Sequence, residues 1–339
     1  MKKHRNIPIF VPHLGCPNTC VFCNQRTITG VSEFSPETAR AEIETALSTV
    51  GADTEAEIAF FGGSFTGIDR SLMIELLEIA HSYLESGRVS SVRCSTRPDY
   101  IDSEILDILI KYGVGTVELG LQSADDTVLR LSKRGHDREA ERRACELIVS
   151  RGLNLVGQMM IGLPGSTEES EVETARFIID SGATAARIYP TVVFYGTELC
   201  EMAKAGLYEP LKTEDAVRRS ARVLDILEGA GVDVIRIGLC ASENLSSDDK
   251  YYAGPNHSAL GELVIGELYY MKIKRLFEES GLENTKKIEV FVARGATSKA
   301  IGHKKRNKLR LMSELLLEEI TFIESADVSD CDVRLRGKE

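Results

Sequence analysis

The sequence predicts an α/β fold built on parallel strands, and three observations carry that prediction. Short runs rich in β-branched residues alternate with longer amphipathic stretches over the first two thirds of the chain. Capping residues and glycines punctuate the places where helices should start and stop. Polar, glycine-rich segments fall where the strands end. Strand, helix, strand at this rhythm gives βα units with right-handed crossovers. Such units fit an open doubly wound sheet or a barrel, complete or partial. In both, ligands gather at the C-terminal ends of the strands.

Strands are expected at residues 7–14, 57–63, 92–98, 116–122, 155–162 and 185–193. Helices are expected between them at 36–50, 71–85, 102–112, 125–150 (with a break near Gly135) and 167–181. Ser35 before Pro36 offers an N-cap with proline in the first turn, and Asp102 precedes an apolar-periodic run. Gly51, Gly87, Gly113, Gly152 and Gly182 follow the helices. Beyond residue 193 the rhythm loosens. A helix at 213–228 leads to a seventh strand at 232–239. Then come a loop and helix over 254–279, a strand at 287–293, a helix at 304–319 and two short β-like runs in the last twenty residues. No low-complexity linker interrupts the chain. The expected organisation is therefore a core at 1–240 with a packed C-terminal α+β extension at 241–339.

Composition narrows the function. The 339 residues include 43% hydrophobic and 27% charged, which is ordinary for a folded protein and excludes a disordered chain. A net charge of −11 argues against a surface that grips nucleic acid everywhere, although a local basic groove remains compatible with it. No stretch reaches the ~18 apolar residues of a membrane span, and the basic start lacks a signal-peptide apolar run. A soluble, cytoplasmic protein is expected. Eight cysteines are too sparse for a disulfide scaffold.

Three of those cysteines cluster. Cys16, Cys20 and Cys23 form C-x3-C-x2-C on the loop after the first strand, a spacing that chance would give about 0.005 times in such a chain. Soft thiolates on one short loop suit zinc or an iron–sulfur cluster. Structural zinc wants four ligands, usually from two paired motifs, and no second C-x2-C or H-x3-H is present. Three thiolates would leave one iron of a [4Fe–4S] cluster without a protein ligand, open to a substrate or cofactor.

With the cysteine motif go Phe22 before the last cysteine, Phe60-Phe61-Gly62-Gly63-Ser64-Phe65-Thr66, Thr96-Arg97-Pro98-Asp99-Tyr100, Glu118-Leu119-Gly120-Leu121-Gln122-Ser123 and Gly162-Leu163-Pro164-Gly165. On these segments the chain resembles the radical S-adenosylmethionine (SAM) superfamily over about residues 7–240. Within it the chain looks like the group of the elongator catalytic subunit and its bacterial relatives, with oxygen-independent coproporphyrinogen oxidase more distant. Gly254-Pro255-Asn256-His257 resembles a later segment of the elongator group. The resemblance implies a partial (β/α)6 TIM-like barrel. It also implies a [4Fe–4S] cluster on Cys16, Cys20 and Cys23, with SAM chelating the open iron.

The SAM contacts it implies are Phe22, Gly62, Gly63, Ser64, Ser95, Gln122, Arg134 and Gln158. Gly62 and Gly63 would expose backbone where a Cβ would obstruct the methionyl group. Gln122 and Arg134 match positions that hold ribose and carboxylate. Ser95 and Gln158 stand where relatives often carry acids; both can still hydrogen-bond to a hydroxyl or amine, without charge.

The implied reaction begins with a one-electron donor such as flavodoxin or ferredoxin reducing the cluster. SAM cleaves to methionine and a 5′-deoxyadenosyl radical, which takes a hydrogen atom from the substrate. The cofactor performs the hard chemistry and the protein positions it. His257 is a candidate acid or ligand and Cys240 a candidate hydrogen-atom donor. Relatives modify wobble uridine in tRNA, but no acetyl-CoA glycine signature is found after Leu239. Lys299, His303, Lys304, Lys305, Arg306, Lys308 and Arg310 form a basic run that would suit RNA or another anion. The alternative is a non-catalytic iron–sulfur or zinc protein in electron transfer or RNA binding. An anaerobic preparation should be brown and absorb near ~400 nm; a colourless, zinc-loaded protein would refute the iron assignment.

Overall fold

The computed structural model describes residues 3–11, 16, 20–24, 34–51, 53–239 and 250–338. Two compact units form: residues 1–211 with 226–254, and residues 212–225 with 255–339.

In the first unit a seven-stranded sheet runs β1 (Lys3–Phe10), β2 (Thr54–Phe61), β3 (Ser91–Thr96), β4 (Val114–Gln122), β5 (Asn154–Ile161), β6 (Ala185–Pro190) and β8 (Asp233–Ile237). The two-residue strand β7 (Val193–Phe194) pairs instead with β9 (Tyr251–Ala253), and a short helix α7 (Glu198–Lys204) follows β7. Every neighbouring pair in the seven-stranded sheet is parallel. Among the described residues β1 and β8 each have one neighbour, so the curled sheet is a partial barrel.

Local chemistry fixes the helices that connect these strands. Ser35 accepts the Thr38 N–H at 3.2 Å, with Pro36 in the first turn of α1 (Pro36–Leu47). Helix α2 (Arg70–Glu85) starts on Asp69. Asp102 accepts the Ile105 N–H at 2.8 Å to open α3 (Ser103–Lys111). Gly113 ends that helix at φ +82°, where a Cβ would sit 2.3 Å from Leu84. The stretch after β4 divides as expected, into α4 (Asp126–Leu131) and α5 (Arg138–Ser150) around Gly135. Helix α6 (Glu168–Asp180) packs so closely on β5 that a Cβ at Gly157 would lie 2.8 Å from Ile178. Val156 and Gln158 therefore face the opposite, inner side of the sheet.

That inner side carries a buried polar seam. Arg93 on β3 donates from Nε to Glu57 on β2 at 2.6 Å and from Nη1 to Glu118 on β4 at 2.9 Å. Arg187 on β6 donates twice to Glu118, at 2.8 and 2.9 Å, and Gln158 on β5 adds a bond at 2.8 Å. His4 on β1 lies 3.1 Å from Glu57. All six strands from β1 to β6 join this line. It also explains why β1 starts at Lys3 and not at the expected residue 7: His4 and Asn6 lie on the seam side of the strand, where apolar periodicity gives no signal. Residues 12–14 of the expected strand lie outside the described residues.

The second unit includes the start of α8 (Thr213–Gly229), whose Asp225 accepts from Arg275 at 2.8 Å. Helix α9 (Leu260–Glu279) and strand β10 (Lys287–Val292) share a core of Tyr269, Ile273, Phe277, Ile288, Val290 and Val292. Strand β10 pairs parallel with β11 (Glu319–Glu324) and antiparallel with β12 (Val333–Gly337), the two expected β-like runs. The expected helix at 304–319 is shorter. Lys304 and Lys305 hold left-handed φ of 51° and 63° beside the buried Asn307, and Leu316 at φ 55° ends the turn before β11. Only Arg306–Glu314 is α-helical there.

Burial opposes the charge on Glu118, yet the Arg187, Arg93 and Gln158 bonds outweigh it and hold its carboxyl below the usual range. A lowered folded pKa means stability that is present above the unfolded value of about 4.3 and lost as pH falls through the folded one. Glu118→Gln should cost about 3–5 kcal/mol at neutral pH by leaving buried guanidiniums uncompensated. Its urea-unfolding stability should also fall less steeply in acid than that of the wild type.

Candidate cofactor site at the strand ends

The C-terminal ends of β2, β3 and β4 meet the cysteine loop at Cys16 and Cys20. Cys20 is buried and its sulfur lies between two buried arginines. Arg134 Nη1 is 3.4 Å away and Arg97 Nη1 is 3.9 Å away. Arg97 leaves the end of β3 and is gripped by Asp99, with two bonds of 2.9 Å. Its Nη2 also donates to the Arg134 carbonyl, while Arg134 Nη2 donates to the Gly120 carbonyl at the end of β4. One sulfur thus ties three backbone segments together. The Cys23 N–H closes a turn on the Cys20 carbonyl at 3.0 Å. Val21 anchors that turn to Ser132 and Leu199. Phe22 packs against the cluster of Val21, Val193, Leu199 and Cys200.

Cys16 is half-buried. Burial raises its thiol above the ordinary range, against the Ser64 backbone hydrogen bond and the Arg97 charge, which favour the thiolate. The Ser64 hydroxyl pairs with Thr96 at 2.8 Å and accepts the Arg97 N–H at 3.3 Å, so its side chain braces the β2 and β3 ends. Gly62 sits at φ +106°, and a Cβ there would lie 2.8 Å from the Val11 carbonyl oxygen. Among the described residues no three His, Cys, Asp or Glu side chains gather at the spacing of a single bound ion.

Two observations test the fit of a cluster and SAM. Arg134 is 5% exposed and has no ion pair among the described residues; its Nε lacks any hydrogen-bond partner. A buried cation in that state costs several kcal/mol unless an anion joins it. Thiolates on iron and a methionyl carboxylate are anions of the right kind. Gln122 holds a left-handed φ of 72° at a bulge in the β4–β5 pairing, and its buried Oε1 has no partner. Strain and an unmet acceptor at one strand end suit a residue held for a ligand hydroxyl. The residues fit the group.

Ser95 and Gln158 meet each other instead of standing apart. Gln158 Nε2 donates to Ser95 at 3.2 Å and to Glu118 at 2.8 Å, which joins both to the inner seam. The Gly162–Gly165 loop is pinned by Glu171, which accepts the Gly162 N–H at 2.7 Å, and by Tyr208, which donates to the Gly162 carbonyl at 2.7 Å. His257 belongs to the second unit, where its Nδ1 accepts the Ala259 N–H at 3.1 Å. Cys240 lies outside the described residues. Sequence reasoning gave no role to Arg97, Glu118 or Arg187. Arg97 and Glu118 do lie in segments that carried the resemblance, Arg97 just past the end of β3 and Glu118 inside β4, so their signal was a charged residue without a partner to explain it.

An open parallel sheet with a three-cysteine loop and a cationic rim at its strand ends defines an α/β enzyme built around an iron–sulfur cofactor. Two family models agree: the radical SAM superfamily over residues 10–178 and the radical SAM C-terminal domain over 183–270. The chain belongs to the radical SAM superfamily, enzymes that use a [4Fe–4S] cluster and SAM. It is 33% identical over 199 residues to a tRNA uridine(34) acetyltransferase of Methanocaldococcus infernus, covering 52% of this chain and 37% of that protein. An uncharacterized protein of Methanocaldococcus jannaschii is 30% identical over 239 residues, covering 67% of this chain and 72% of that one. Among solved structures, archaeal Elp3 of Methanocaldococcus infernus matches at a TM-score of 0.61 and 23% identity, over 83% of this chain and 64% of that one. The chain thus spans about a third of the acetyltransferase's length.

A Cβ at Gly120 would lie 2.9 Å from Gln122 and 3.4 Å from Arg134. Gly120→Ala should push both side chains out of place and weaken SAM binding at least about tenfold, the effect of some 1.4 kcal/mol. Equilibrium dialysis with the iron-loaded protein would measure it.

Proposed function

We propose that this enzyme uses SAM to take a hydrogen atom from a nucleoside of tRNA, with Cys16, Cys20 and Cys23 as the cluster ligands. The observation that carries the site assignment is the Cys20 sulfur held between two buried guanidiniums, one of them without a carboxylate partner among the described residues. The bound cofactors supply one-electron cleavage of SAM. The chain's own residues orient them and exclude water. Arg134 holds the methionyl carboxylate and Gln122 the ribose. Gly62, Gly63 and Ser64 offer backbone to the amino-acid end, Phe22 walls the cluster loop, and Ser95 and Gln158 line the inner face below. A flavodoxin- or ferredoxin-like donor supplies the electron in the cytoplasm; among the described residues no helix is long and apolar enough to cross a membrane.

Two observations support tRNA as the substrate. One curated relative is named a tRNA uridine(34) acetyltransferase. The other is the exposed run of His303, Lys304, Lys305 and Arg306, flanked by Lys299 and Lys308, which carries no ion pair among the described residues. Arg310 is not part of that free charge. It bonds Glu267 and Glu314 and stacks 3.6 Å from the Tyr270 ring centroid.

Anaerobically reconstituted protein with dithionite and SAM should release 5′-deoxyadenosine, and Cys20→Ala should abolish both iron binding and release. Lys304→Glu with Lys305→Glu should weaken tRNA binding and reduce the slope of log affinity against log salt by roughly one to two. An unchanged salt slope would remove tRNA from the proposal and leave the cofactor chemistry standing.

A further inference from the structure

Behind the Cys20 sulfur runs a line of charged groups that cofactor binding does not use, buried except at Asp99, whose side chain is 26% exposed. Arg97 is 4% exposed and already has its counter-charge in Asp99. Asp99 Oδ1 is also 3.5 Å from His136 Nδ1, and the imidazole is 1% exposed. On its far side His136 Nε2 lies 3.1 Å from Oε1 of Glu141, a carboxylate of α5 with no exposure. Glu141 Oε2 has no hydrogen-bond partner. Neutralising Arg97 needs Asp99 alone. Burying an imidazole and a second carboxylate behind it costs several kcal/mol that packing does not require.

We propose that Asp99, His136 and Glu141 are a positioning relay for Arg97. The relay sets how much positive charge reaches the Cys20 sulfur, and so tunes the reduction potential of the cluster and couples it to a proton. The proposal rests on Cys20 being a cluster ligand. Hydrogen bonds and charge at the sulfurs are among the terms that set such potentials. Although burial opposes it, the His136 imidazole 3.5 Å away and the two Arg97 hydrogen bonds keep Asp99 ionised, well below the usual carboxylate range. The His136 Nδ1 contact is a charge contact and not a hydrogen bond. Burial pushes the Glu141 carboxyl up to about 7, against His136 and Arg134; Asp126, on α4, adds to the push. The Cys145 thiol, on the same helix, also faces Glu141. Were a cluster held by Cys20 to gain one electron from a donor protein, the Glu141 carboxylate would gain one proton, which with no exposure of its own it would receive through the neighbouring His136 side. Above its pKa the extra buried negative charge screens Arg97 and disfavours the electron.

The test is a redox titration of the full-length, iron-loaded protein, followed by the paramagnetic signal of the reduced cluster. It is run at about pH 6 and about pH 8.5, below and above the Glu141 range, with iron content measured in every sample. Wild type should titrate at a lower potential at the higher pH. Glu141→Gln, which keeps the shape but cannot ionise, should hold the low-pH potential at both. Asp99→Asn, which frees the Arg97 charge, should titrate above wild type at both. Either variant, iron-replete and titrating with wild type at both pH values, overturns the relay. A Cys20→Ala protein that keeps its full iron would instead overturn the ligand assignment.

Discussion

The sulfur of Cys20, held between Arg97 and Arg134, is the interaction on which the site depends. Guanidiniums stay charged at any pH the protein meets, so burying two of them commits the surrounding chain to supplying negative charge. Asp99 answers for Arg97. Arg134 makes no ion pair among the described residues: it bonds a carbonyl and the sulfur, with the Glu141 carboxylate acting on it only through space. The loop ends of β3 and β4, the turn after α4 and the cysteine loop are therefore locked to one another by charge-assisted bonds. The rim is preorganised for anions before any cofactor arrives.

The seam on the inner face does a related job one layer down. Glu118 accepts four bonds, two from Arg187 and one each from Arg93 and Gln158, so its lone pairs are saturated. A carboxylate this well satisfied is a structural clamp and not a poised acid. It draws β3 to β6 together, and Glu57 extends the line through Arg93 to β2 and through His4 to β1. Ser95 and Gln158, neutral where charge was expected, bond to each other and to this clamp. An acid at either position would add a negative charge beside Glu118. The uncharged pair fits the site that Glu118 already dominates.

Much of the architecture was legible because it depends on local rules. Ser35 and Asp102 cap helices through bonds to residues three positions away, with Pro36 preset for the first turn, and such features leave a pattern in the sequence. The break near Gly135 was visible for the same reason. Strand β1 starts earlier than expected because the half-exposed His4 and Asn6 put polar side chains on the seam side, which hydrophobic alternation cannot register. The helix expected over 304–319 was overextended because nothing local announces that Lys304 and Lys305 take left-handed backbone; the packing of Asn307 against Gly302 decides it.

By itself the sequence determined the alternation of strands and helices, the three-cysteine loop and the family those segments belong to. Spacing within a dozen residues fixes each of these. Tertiary structure alone decided which charges meet: Arg134 with a sulfur 114 positions away, Arg187 with Glu118 across 69, Arg97 with Cys20 across 77. The strength of a charge pair depends on distance and burial, and the linear chain encodes neither until the sheet has curled and brought its ends together.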